Sequence, residues 1–139
     1  MERTNRRALR ALLAILATAA AASLLPACAP AVRSVPTQLS AVDPSSKPAD
    51  LRFTAPLEIR LPTGYGRQIP ASSRWVPAGR LSEGSVYRPV DLVFSIEGQQ
   101  VHEAWLVVRN GVLQGFYLPA EARFSLLDPP VQLPKGTQP

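Results

Sequence analysis

Cysteine and histidine are almost absent: the chain has one of each, Cys28 and His102. A chain with a single cysteine has no internal disulfide, so its thiol is free, joined to another chain or chemically used. A zinc centre draws three or four ligands from histidine, cysteine and carboxylate, and no spacing here offers them. Nucleophilic catalysis lacks its context as well. No serine lies in a G-x-S-x-G turn, and only His102 could act as a base. The acids Glu58, Asp91, Glu97, Glu103, Glu121 and Asp128 are scattered and read as solvated strand-face residues. A carboxylate-based hydrolase is the one enzyme reading this scatter leaves open. Long apolar runs are also missing, since a membrane-spanning helix needs about 20 such residues.

Proline, by contrast, is abundant. Its 15 residues are about twice the usual share, which disfavours long helices and favours short strands, turns and extended linkers. The charge is unevenly placed. Arg3, Arg6, Arg7 and Arg10 precede residues 11–25, which are uncharged and apolar apart from Thr18 and Ser23. A basic start followed by about 15 apolar residues has the form of a signal peptide, with the positive end retained in the cytoplasm. Without those four arginines and Glu2, eleven basic and nine acidic side chains remain, so the formal +5 falls to +2. The charge is then no sign of nucleic-acid binding.

Directly after the apolar run stands Leu25-Pro26-Ala27-Cys28. This tetrapeptide resembles the lipobox of bacterial lipoproteins, departing from the usual pattern only at Pro26. The resemblance covers the first 29 residues. It implies cleavage between Ala27 and Cys28, a diacylglycerol on the Cys28 sulfur and an acyl chain on the new amino group. No other cofactor is expected. Each buried methylene contributes about 0.8 kcal/mol, so two or three chains make an effectively permanent membrane anchor. Ala29, where inner-membrane lipoproteins typically carry aspartate, favours the outer membrane, with the domain facing the periplasm. An ordinary signal peptide and a membrane-spanning anchor are the competing readings. Arg6-Arg7 adds a twin-arginine export route to the general one.

Residues 29–49 are rich in proline, serine and alanine and show no sustained period. They predict an extended tether over positions 28–50, reaching at most ~65 Å at ~3.1 Å per residue. A docking strand for another protein is the alternative. The folded part is expected over residues 51–127. Leu51, Phe53, Ala55, Leu57, Ile59 and Leu61 alternate with polar residues and Pro56, giving a strand at an edge or bent at Pro56. Residues 63–66 form a turn. Short strands follow at 73–76 and 86–87, separated by Pro77-Ala78-Gly79 and Glu83-Gly84. Alternation resumes over 90–96, and residues 101–108 and 112–118 flank Asn110-Gly111, a type I′ hairpin signal. A two-residue loop there pairs Leu106 with Gly115 and Trp105 with Phe116. Residues 124–127 close the sheet, Pro129-Pro130 end it, and 128–139 form a loose tail. The whole predicts an all-β domain, a small antiparallel barrel or sandwich of five to seven short strands, preceded by a signal helix and the tether.

One compositional feature bears on binding. Arg60, Arg67, Arg74, Arg80 and Arg88 share a stretch with Tyr65, Trp75 and Tyr87 and with one acid, Glu83. Arg67, Arg74, Trp75, Arg80, Tyr87 and Arg88 are therefore candidates for a binding face for a glycan, a lipid headgroup or a protein. The favoured reading is the plainer one, that these arginines pair with the downstream acids across the sheet. The leading expectation is a non-enzymatic envelope lipoprotein whose β domain docks on a partner protein, as an accessory to an outer-membrane assembly. A ligand-binding or inhibitor module is second. It resembles the periplasmic lysozyme-inhibitor lipoproteins in size, anchor and β content, but lacks the cysteine pairs on which those rely.

Overall fold

The computed structural model describes residues 28–137. The signal segment and the cleavage-site residue Ala27 lie outside them. Among the described residues there are eleven strands and no helix: β1 Val35–Pro36, β2 Leu51–Arg52, β3 Leu57–Arg60, β4 Gly66–Ile69, β5 Arg74–Leu81, β6 Gly84–Val90, β7 Ser95–Glu97, β8 Val101–Glu103, β9 Trp105–Arg109, β10 Val112–Leu118 and β11 Arg123–Gln132. The described part is all-β, as expected, with more strands than the five to seven foreseen, and β5, β6 and β11 run longer than the segments expected at 73–76, 86–87 and 124–127. Seven of them form one antiparallel sheet in the order β1-β11-β10-β9-β6-β5-β2, and β3-β4 and β7-β8 are separate hairpins.

Period-two burial explains the layers. In β9, Leu106 and Val108 point to one face and Val107 to the other, and all three are buried. The first face carries Trp75, Leu106, Leu113, Phe116 and Leu127, packed against Ile59, Leu61 and Ile69 of the first hairpin and Phe94 and Ile96 at the second. This is the principal core, and the arrangement is sandwich-like. Its centre is aromatic: Trp75 meets Phe94 edge-on with ring centroids 5.5 Å apart, and Phe94 stacks on Phe116 at 6.0 Å. The opposite face carries Leu81, Val86, Val107, Tyr117 and Phe124.

The N-terminal segment covers that second face, and here the tether expectation gives way. Val35–Pro36 pair with Arg123–Phe124 of β11. Leu39 packs on the second core. Ser40 then exchanges both backbone hydrogen bonds with Arg80 of β5, at 3.0 and 2.9 Å. The segment is thus a strap running between the two sides of the large sheet. Lower exposure at Ser34, Thr37 and Leu39 gives it an inward side, too sparse among prolines and serines to show as a strand period.

Three local departures have identifiable causes. Pro77-Ala78-Gly79, expected as a turn, lies inside β5 as a bulge, so β5 runs unbroken from Arg74 to Leu81. Asn110 and Gly111 form the expected turn with φ of 52° and 73°, but a bulge between Leu113 and Gly115 shifts the register. Gly115 therefore pairs with Val107, Phe116 with Leu106, and Trp105 with Tyr117. The shift sends Phe116 into the principal core and leaves Trp105 with Tyr117 on the other face. Finally, β11 continues past Leu127 to Gln132, and Leu133 is buried, so the loose tail begins later than residue 128. Pro129 and Pro130 are tolerated because the ladder with β10 passes from Leu126 to Val131 without partners in between.

Candidate functional site

Between Ser40 and Leu51 the chain leaves the outer edge of β5 and returns to it, since β2 pairs with β5 at Arg74 and Trp75. The intervening arch turns at Asp43, whose carboxylate accepts hydrogen bonds from the Ser45 hydroxyl and backbone N–H at 2.7 and 2.8 Å. Those bonds hold the Asp43 carboxyl below its ordinary range. Under the arch is a groove of about 560 Å³ whose polar lining includes Ser46, Lys47, Arg80, Ser85 and Tyr87. Burial pushes the Tyr87 phenol upward, opposed by a hydrogen bond with Ser85 and by the nearby Arg80 charge. The groove thus combines two cations, the Asp43 carboxylate, several hydroxyls and one shielded phenol. Such a set can hold an anionic or hydroxyl-rich group, and its volume falls within the range of small-ligand sites.

Of the six candidate face residues, the structure brings together only Arg80 and Tyr87. Trp75 is removed from any binding face: it is fully buried, and its indole N–H donates to the Ser73 hydroxyl at 3.1 Å. Strand alternation placed its side chain inward, which interleaving with arginines concealed. Arg67 lies 5.4 Å above the Phe94 ring and pairs with Glu97 at 3.4 Å. Arg74 pairs with Asp50 at 3.7 Å. Arg88 is exposed on β6 and lines no part of the groove. Pairing of arginines with acids is therefore seen for two of them, one of the acids lying upstream. Lys47 and Ser46 were not among the sequence candidates, although Asp43-Pro44-Ser45-Ser46 carries a turn signature that marks the arch.

Two other places hold polar chemistry. The His102 Nδ1–H donates to Glu121 at 2.7 Å, tying β8 to the β10–β11 turn. A smaller, mainly apolar cavity of about 210 Å³ lies where Val32 passes Leu61, Ile96 and Phe116. Among the described residues no three of His, Cys, Asp and Glu form a group able to hold a metal, and no helix is long and apolar enough to cross a membrane. Cys28 is exposed. Compared with protein-family models, curated proteins and solved structures, the chain matches none.

Proposed function

We propose that this chain is a non-enzymatic lipoprotein of the bacterial cell envelope, lipidated on Cys28, whose β domain binds a partner protein through the arch groove. The observation that carries the anchor is the tetrapeptide ending in the chain's single cysteine, placed directly after an uncharged run. The groove supplies the binding end. Arg80 and Lys47 outnumber the Asp43 carboxylate and favour an acidic segment, and Tyr87 offers it an amphipathic ring. Ala29 after the cysteine supports outer-membrane residence with the domain in the periplasm.

Labelled fatty acid and membrane partition test the anchor. The parent protein takes up label and sediments with membranes, and Cys28→Ser abolishes both. An unlabelled parent whose partition is unchanged by Cys28→Ser sinks the reading. A photo-crosslinking residue at Ser46 tests the binding end in cells. One discrete protein adduct, lost in Arg80→Ala with Lys47→Ala, supports docking. The groove volume favours a second reading, a soluble glycan or other small anionic ligand. That reading takes over if no adduct forms while peptidoglycan fragments bind the purified protein in an Arg80-dependent manner.

A further inference from the structure

Residues 30–32 are part of the domain. The Gln99 N–H donates to the Pro30 carbonyl at 3.0 Å, and Val32 packs against the principal core. A Cβ at Gly98 would stand 2.6 Å from the Pro30 oxygen and 3.0 Å from the Val32 nitrogen, so glycine is what lets the segment lie so close. Cys28 is two residues before Pro30. Two residues of extended chain reach at most about 7 Å. We propose that the domain lies against the bilayer surface, and that the joined tips of the β3–β4 and β7–β8 hairpins are the face it rests on. This rests on the lipid anchor proposed above.

The two tips are joined to each other as well as to Pro30. The Thr63 hydroxyl, in the β3–β4 turn, donates to the Glu97 carbonyl at 2.6 Å. Tyr65 in that same turn is 40% exposed, and Val101, directly after the β7–β8 turn, is 69% exposed. Both are large apolar side chains left uncovered beside the point where the chain reaches its lipid. A tyrosine ring suits headgroup depth, with its body in the apolar layer and its hydroxyl in water. Arg60 at the base of the first turn and Arg33 just after the anchor favour an anionic surface. Glu97, the acid at the tips, is paired with Arg67. Anchor position, exposed apolar side chains and charge thus converge on lipid as the occupant.

With lipid on Cys28, a cysteine introduced elsewhere is the single free thiol. Tyr65→Cys, Val101→Cys and a control, Glu83→Cys in the β5–β6 turn, are purified from bacterial membranes in processed form and labelled with a small fluorophore. Each is reconstituted into phosphatidylethanolamine–phosphatidylglycerol vesicles carrying a headgroup nitroxide, and its acylation is read by mass spectrometry. The expected result is acylated protein with quenching severalfold stronger at 65 and 101 than at 83. Equal quenching at all three positions, with acylation intact, overturns the membrane face and leaves the anchor standing. Protection of 65 and 101 that follows protein concentration rather than lipid assigns the tips to a second copy and also overturns it. Protein without acyl chains removes the anchor, and this proposal with it.

Discussion

The two faces of the seven-stranded sheet are covered by different kinds of chain. One carries two hairpins whose own strands pair, so backbone groups are satisfied locally and side chains such as Ile59, Ile69 and Ile96 interlock with the aromatic centre. The other is crossed by a strap that holds its place by two hydrogen bonds at Arg80, a two-residue ladder on β11, hydrogen bonds from Arg123 to Ser34 and from Thr37 to the Ala122 carbonyl, and Leu39. The hairpin side has the cohesion of a core. The strap side depends on close approach at a few points, and local opening is favoured where buried contacts are few. The arch groove belongs to the strap, so the candidate binding site sits on the more easily loosened part of the molecule.

Removing Trp75 tests the hairpin side and should have the largest effect. Trp75→Ala empties the centre of the aromatic cluster and is expected to cost about 3–5 kcal/mol in denaturant unfolding. A loss under about 1 kcal/mol would mean that this face is not the principal core.

Gly79→Ala tests the strap. The added Cβ would stand 2.5 Å from the Ser40 carbonyl oxygen, and backbone cannot swing aside as a side-chain tip can. The expected cost is about 1–3 kcal/mol, with faster amide exchange across residues 34–48 and unchanged protection in β9 and β10. Loss of protection throughout the sheet would erase the distinction between the two faces.

The smallest effect is read at Tyr87. Burial raises its folded pKa above the ordinary 10.0, so the neutral phenol is favoured in the folded state. The associated stability is fully present below 10.0 and is lost as pH rises through the raised value. In ultraviolet titration, one tyrosine of the native protein should ionise later than any in the denatured chain, and Tyr87→Phe should remove that phase. If the late phase survives Tyr87→Phe, the groove does not shield this phenol.

Much of the sheet was legible in the sequence, for physical reasons that differ between segments. The Asn110-Gly111 turn is local chemistry, two residues that accept positive φ, and it appears where expected. The alternation from Leu51 to Leu61 survives as alternating burial, although the strand breaks around Pro56 into β2 and β3. The register beyond the turn was not legible, because the bulge at Gln114 changes which residues face each other while leaving the composition untouched. The binding face was misread at Trp75 for a related reason: proximity to arginines in sequence says nothing about which side of a strand a residue occupies.

The least legible region was the strap. Residues 29–49 have the composition of a linker, and no local preference distinguishes a linker from a segment held by distant backbone edges. Its partners, Phe124, Arg80 and Gln99, lie far along the chain. The sequence by itself determined the all-β class, the central hairpin and the single cysteine that follows an apolar run, because these depend on local periodicity, turn chemistry and counting. Only the tertiary structure decided that the expected tether closes over the sheet and that Trp75 lies inside. It also decided that Pro30 meets Gln99 two residues after Cys28, because these depend on side chains and backbone groups far apart in the chain.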